Sequence, residues 1–337
     1  MTEAEDAAHD PGFDAAGARA EALQRGRVDP IQVRDGGQVR VGTASWTDPT
    51  MTAPGVFYPS GARSAEDRLR YYASCFSVVE VDATYYSIPA AEMSRRWVER
   101  TPDDFVFDVK AHALMTGQPT ETKRLPKAVR EALPEDVRGK ARLYGKDLPA
   151  DVRDEVWRQF AAGVEPLREA GKLGAIFLQF PRWVFPSNES REAILDARHR
   201  LGDLPLTVEF RHGSWFNEKN ADRTLRFLTD NAIPYVMVDE PQGFKSSVPP
   251  VVVATSGELA VVRFHGRRAD RWETPNIPPA ERFRYLYDVD QLADWSPRIA
   301  EVARHTSQTH VLMNNCSGNY GSTNAFELAE LLEQYQA

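Results

Sequence analysis

Eight short β-prone runs recur along this chain, most of them closing on a polar or charged residue, with helix-like segments between them. They fall at 39–44, 78–82, 105–109, 174–178, 206–210, 235–238, 259–264 and 309–313. Stretches such as AIFL and YVMV are apolar throughout rather than alternating, as parallel strands covered on both faces should be. Seven of the eight slots carry a clear helical pattern, and the first opens on Ser64 with Asp67 three residues on, a capping arrangement. The slot between the sixth and seventh runs is poor. Eight such units predict an α/β fold, a closed (β/α)8 TIM-barrel-like single domain. An open doubly wound sheet is the runner-up, but no G-x-G-x-x-G follows an early strand.

Two segments depart from a minimal barrel. Residues 1–37 are Ala-rich and acidic, with Phe13 as their sole aromatic residue, and are expected to form a disordered or partly helical tail. The barrel then occupies 38–337, with a long insertion at 111–150 after the third strand. That insertion holds eight Lys/Arg against five Asp/Glu. The whole chain has 41 Lys+Arg and 49 Asp+Glu, a net charge of −8, which excludes coating nucleic acid by bulk charge and leaves a local basic patch open. No apolar run approaches the ~18–20 residues of a membrane span. Cys75 and Cys316 are too few and too far apart for a disulfide framework or a zinc knuckle. With no basic-then-apolar leader, the expectation is a soluble, cytoplasmic protein.

In a barrel the C-terminal strand ends converge on the site. Here those positions hold hydrogen-bonding or ionisable groups on every strand. Glu80 and Glu209 are candidates for paired acid and base work. Lys110 is a candidate base or anion anchor at a strand end, and His265 in RFHGRR a candidate catalytic histidine. Ser45, Trp46, Tyr85, Gln179, Arg211, Trp215, Asp239, Arg263, Gly266, Arg267, Asn314 and Asn315 are the candidate substrate-binding residues. The bland alternative is ion pairs filling the mouth, such as Glu209–Arg263 or Glu80–Lys110. Glu80, Asp82, Glu209, His212, Asp239 and His265 also offer hard metal ligands, but no local motif groups them, so the cofactor stays open.

Barrels often hold phosphate with the loops after strands seven and eight. Strand seven runs into Arg263, Arg267, Arg268 and Arg271. Strand eight runs into a small-residue turn with Gly318, Gly321, Ser322 and Thr323 before a helix from about Ala325. A helix N-terminus beside arginine forks favours an anion. Aromatic residues near the loops, among them Tyr86, Trp183, Trp272 and Tyr285, suit stacking or packing alike.

The ordered motifs GTASW, FYP, VVEVDATYYSIP, TPDDFVFDVKAH, LGAIFLQFP, VEFRHGSW, VVRFHGR and NNCSGNYGSTNA resemble the YecE-like family, domain of unknown function 72, over roughly residues 38–336. The resemblance implies a TIM-barrel-like fold and places Glu80, Lys110, Glu209, Arg211, Arg263, His265, Gly266 and Asn314 around the pocket, without implying a reaction. The expected function is an enzyme or binder for a phosphorylated or other anionic ligand at the C-terminal face, with hydrolase or isomerase/lyase-type acid–base chemistry. The alternatives are nucleic-acid binding or processing, endonuclease-like by fold analogy alone, and a non-catalytic ligand sensor.

Overall fold

The computed structural model describes residues 26–337. Eight strands form one parallel sheet: β1 (Gln38–Thr43), β2 (Val78–Val81), β3 (Val106–Lys110), β4 (Leu173–Gln179), β5 (Leu206–Glu209), β6 (Val236–Asp239), β7 (Leu259–Phe264) and β8 (Gln308–Met313). Their spatial order is β5-β4-β3-β2-β1-β8-β7-β6. The two ends meet through a parallel bridge between Val208 and Tyr235, with Val208 N donating to Pro234 O at 3.0 Å. The sheet is therefore a nearly closed barrel of the TIM type. Each strand lies within one residue of its sequence expectation.

Helices α1 (Ala65–Cys75), α2 (Ala91–Glu99), α3 (Ala150–Glu169), α4 (Asn188–Leu201), α5 (Ala221–Asp230), α6 (Val289–Ala303) and α7 (Tyr320–Glu333) fill seven slots. Residues 240–258, between β6 and β7, cross in an irregular loop, as the weak periodicity there predicts. The α1 start is a true capping box: Asp67 N donates to Ser64 Oγ and Ser64 N to Asp67 Oδ2, both at 3.0 Å.

The tail expected at 1–37 lies outside the described residues up to residue 25. Residues 26–37 run along the barrel, where Ile31–Gln32 pairs antiparallel with the start of β1. The insertion after β3 has its own small fold: a two-stranded ladder, Thr120–Glu121 with Arg142–Leu143, and helices Lys127–Ala132 and Glu135–Arg138. Val129, Leu133 and Leu143 bury its underside against the core.

Side chains two residues apart on a strand share a face. Toward the N-terminal end of the interior, Asp108 on β3 faces His310 Nδ1 on β8, with both carboxylate oxygens at 3.0 Å. Gly174 of β4 makes room for that pair: a Cβ there would stand 2.5 Å from Asp108 Oδ1 and 2.7 Å from His310 Cε1. Two residues on from Asp108 comes Lys110, and the same alternation carries Glu80, Glu209, Arg263, His265 and Asn314 to the C-terminal mouth.

Candidate active site at the barrel mouth

The guanidinium of Arg263 is the centre of the mouth. It is buried, and it reaches two carboxyls from opposite sides of the barrel. Nη1 donates to Glu209 Oε2 at 2.5 Å, and Nη2 donates to Glu80 Oε1 at 2.9 Å and to Asn314 Oδ1 at 3.2 Å. Because the Asn314 oxygen accepts from Arg263, its amide nitrogen is the donor to His265 Nδ1, at 2.8 Å. His265 Nε2 therefore carries the proton and donates to Glu209 Oε1 at 3.1 Å. Burial together with the Arg211 charge pushes the His265 pKa down to about 3, so the ring is neutral.

The two carboxyls differ in state. Burial alone would raise Glu209, but Arg263, His265 and Arg211 outweigh it and hold the carboxyl well below the usual range. Its Oε1 accepts from Gln179 Nε2 at 2.8 Å, His265 Nε2 at 3.1 Å and Arg211 Nη1 at 3.3 Å. Glu80 has no such cluster of donors. Burial raises its pKa well above the usual value, the nearby Asp82 charge adds to that, and Arg263 offsets it only in part. Glu80 Oε2 and Arg263 Nε approach to 2.9 Å without hydrogen-bond alignment. Burial thus favours the protonated form of Glu80, whose carboxyl neighbours that of Asp82.

Asp82 stays ionised: burial opposes this, but Lys110, whose Nζ lies 2.9 Å from Oδ1, and Arg263 hold its pKa down. Burial would lower Lys110, but Asp82 and Glu80 more than compensate and raise it, so its ammonium is a cation rather than a base. A line of alternating donors and acceptors thus crosses the mouth from Lys110 through Asp82, Glu80, Arg263 and Glu209 to His265. Of the two ion pairs expected from sequence, Glu209–Arg263 forms, whereas Lys110 pairs with Asp82 and Glu80 turns to Arg263.

Above this line opens a cleft of about 600 Å³, lined in part by Ser45, Asp82, Tyr85, Lys110, Arg211 and Asn314. Gln179 and Arg263 also reach its wall. Glu80, Glu209 and His265 lie beneath it, each at most 1% exposed. The segment after β7 roofs the site: Trp272 and Phe283 pack 6.4 and 5.7 Å from the His265 ring, and Trp272 lies 5.0 Å from the Arg211 guanidinium.

Other expected site residues do not line this cleft. Trp46 is buried against Trp97 and Phe107. Trp215 stacks on Phe210 at 4.0 Å and donates Nε1 to Val184 O. Asp239 accepts from Arg267 Nε and Nη2 at 2.9 and 2.7 Å, and from Tyr287 and Trp295 at 2.7 Å each. The Tyr287 hydroxyl in turn accepts from Gly266 N, at a φ of +80° that glycine adopts without strain. Asn315 ties Tyr285 O to Asn324.

The phosphate-loop expectation meets a different arrangement. Arg267 is spent on Asp239, while Arg268 and Arg271 face Asp270. The last helix starts at Tyr320, five residues early, so Gly321, Ser322 and Thr323 lie buried in its first turn. Gly318 N donates to Thr50 Oγ1. Among the described residues no three His, Cys, Asp or Glu side chains are grouped as metal ligands would be.

Three contributors escaped the sequence reading. Gln118, in the insertion, accepts from Tyr85 Oη at 2.8 Å and donates to Gln179 O at 3.0 Å. Asp48 lines the cleft from the loop after β1. Glu240, one residue past β6, accepts from Arg211 Nη1 at 3.1 Å and Val248 N at 2.6 Å. Only Glu240 carried a signal, its place beside a strand-end Asp.

The UPF0759 protein YunF of Bacillus subtilis is 30% identical over 298 residues, covering 88% of this chain and 95% of YunF. The crystal structure of a DUF72 family protein from Enterococcus faecalis V583 is similar with a TM-score of 0.69 and 27% identity, covering 87% of this chain and 95% of that one. Its counterpart from Thermotoga maritima MSB8 gives 0.68 and 28%, covering 88% and 99%. No described helix is long and apolar enough to cross a membrane. The family model "Protein of unknown function DUF72" matches residues 40–337, and the chain belongs to that family.

Proposed function

We propose that this chain is an acid–base enzyme acting on a small anionic ligand held in the cleft at the barrel mouth. The observation that carries the reading is a pair of neighbouring carboxyls shifted in opposite directions: Glu80, buried and raised, and Asp82, lowered by Lys110 and Arg263, a third exposed and lining the cleft. Environments that push neighbouring pKa values apart divide acid and base roles. Asp82 takes the proton-transfer position against the ligand, and Glu80 supplies or stores the proton behind it. Lys110 and Arg211, both cationic and both at the wall, hold the anionic group, a phosphate or a carboxylate. Arg263, Glu209, His265 and Asn314 fix the geometry from below, so Glu209 and His265 act as positioning residues.

The test is a screen of phosphorylated and carboxylated metabolites by thermal shift. Hits are then followed by proton NMR in deuterated water for exchange into the ligand. Arg211→Met is expected to weaken binding about 10–100-fold, the worth of one charge-assisted contact of ~1.5–3 kcal/mol. Asp82→Asn is expected to keep binding and lose exchange. Unchanged exchange in Asp82→Asn overturns the assignment, as does an anionic hit whose affinity ignores both Arg211→Met and Lys110→Met.

A further inference from the structure

The insertion carries a second concavity. The turn Thr122–Arg124, the helix Lys127–Ala132 and the strand Arg142–Leu143 enclose a groove of about 780 Å³. Its walls present Lys123, Lys127, Arg130, Arg138, Lys140 and Arg142 against two carboxylates, Glu121 and Glu131. Three of these cations are neutralised nearby: Lys123 by Glu121 at 3.1 Å, Lys127 by Glu131 at 3.6 Å and Lys140 by Asp147 at 3.4 Å. The guanidiniums of Arg130, Arg138 and Arg142 have no carboxylate within 4 Å among the described residues. Arg138 is oriented by donating Nη2 to the carbonyls of Glu131 and Leu133, at 2.7 and 2.9 Å. Three uncompensated forks in one concave surface, on a chain of net charge −8, form a local positive field.

The groove and the barrel mouth are lined by nearby stretches of the chain. Gln118 lines the cleft, and three residues later Glu121 lines the groove. Arg124 stands 5.5 Å over the ring of Tyr86, which lines the cleft and is 48% exposed. Tyr144, 41% exposed, follows the groove residue Arg142 by two positions. Fixed cations beside solvent-facing aromatic rings suit a chain of phosphodiesters whose bases are free to stack. A duplex, with its bases already stacked, leaves the rings unused. We propose that the insertion binds single-stranded nucleic acid, with the backbone in the basic groove and bases on Tyr86 and Tyr144. The proposal does not rest on the acid–base reading, although Tyr86 also lines the cleft at the mouth.

The test is fluorescence anisotropy of a labelled 20-nucleotide thymidine oligomer with the full chain. Three uncompensated charges give a slope of log K against log salt of about −2, so Kd is expected to rise about 20-fold from 50 to 200 mM salt. Arg130→Gln with Arg142→Gln, both changes at the groove wall, is expected to leave about a 3-fold rise. Tyr86→Ala is expected to weaken binding at both salts, by about 5-fold or more, and to keep the slope. Circular dichroism checks that each variant folds. Absence of saturable binding at 50 mM salt overturns the proposal, as does affinity indifferent to salt or to the double change. Equal affinity for a blunt duplex, or equal competition by inorganic polyphosphate, overturns the stacking part and with it the single-stranded assignment.

Discussion

Glu80→Gln and Glu209→Gln are the same chemical change on the same arginine, and their effects on stability should differ sharply. Glu209 is ionised and receives four N–H donors: Arg263 on one oxygen, Gln179, His265 and Arg211 on the other. An amide there has one oxygen. If that oxygen faces the three donors, its NH2 group collides with Arg263 Nη1 across a 2.5 Å contact; flipped, it collides with three donors. Two arginines also lose their buried counter-charge. Breaking a buried pair by removing one charge destabilises by ~3–5 kcal/mol. Glu80 is biased by burial toward its neutral form. In Glu80→Gln the amide oxygen still accepts from Arg263 Nη2, so the one aligned hydrogen bond is kept. The remaining approach, Glu80 Oε2 to Arg263 Nε, is not an aligned bond, so the change should cost about 1 kcal/mol or less.

Urea unfolding at pH 7, read from midpoints with a common slope, measures both. Titration gives a second readout with a definite sign. Glu80 is raised in the folded chain, so its contribution is full below its ordinary value of 4.5 and is lost as pH rises through the raised one. Glu80→Gln removes that loss, and its deficit against the parent should shrink or reverse between pH 5 and 8. Glu209 is lowered, so its contribution is present above 4.5 and is lost only as pH falls through the lowered value; Glu209→Gln should therefore stay destabilised across the same range. Equal destabilisation by the two variants, or a larger effect at Glu80, would refute the assignment of the proton to Glu80.

Other consequences are equally concrete. Glu240 is pushed up to about 7 by burial, with the Glu209 and Asp239 charges adding to it. Stability from this group is full below about 4.5 and falls as pH rises to about 7, so Glu240→Gln should flatten part of the Tm decline measured from pH 5 to 7.5. Gly174→Ala places a Cβ 2.4 Å from Val106 Cγ1 and beside the Asp108–His310 pair, and should lose ~1–3 kcal/mol in urea unfolding. Trp215→Ala empties a fully buried stack on Phe210 and should lose ~3–5 kcal/mol in the same assay, whereas a site role would show as lost ligand binding at unchanged stability.

The strands were legible because burial on both faces leaves an unbroken apolar run, and a barrel strand has few other ways to read. The mouth was legible for a related reason: period two carries inward-facing positions such as Asp108 and Lys110 along one wall, so a polar residue at a strand end points into the barrel or its rim. Partnership was less legible. Lys110 lies as close in sequence to Asp108 as to any acid, yet it takes Asp82, because β2 and β3 are neighbours and Asp82 follows the β2 end by one residue. The arginines after β7 misled for the opposite reason. RFHGRR reads as an anion clamp, but Asp239, which ends the adjacent β6, captures Arg267 with both oxygens. The small residues before Ala325 look like a phosphate turn, yet they lie buried in the first turn of α7, whose Asn324 accepts from Tyr287 N and donates to Tyr287 O. Gln118 left no pattern, since a loop residue is positioned by tertiary contacts alone.

The composition of the mouth separates a structural from a functional reading. Leu or Val at positions 80, 209 and 263 would close the barrel top without desolvating any charge, and buried ion pairs are often no more stable than such packing. Here Glu80, Glu209, Arg263 and His265 are placed out of water, and the protein meets that penalty with a donor for almost every acceptor. The exception is Glu80, left without a donor cluster, pushed by burial toward its protonated form and neighbouring the cleft-lining Asp82. A network built only for rigidity has no need of that imbalance. The proposed function accounts for it: a carboxyl biased to its neutral form beside Lys110 adds little negative charge to repel the anion which that cation is proposed to hold.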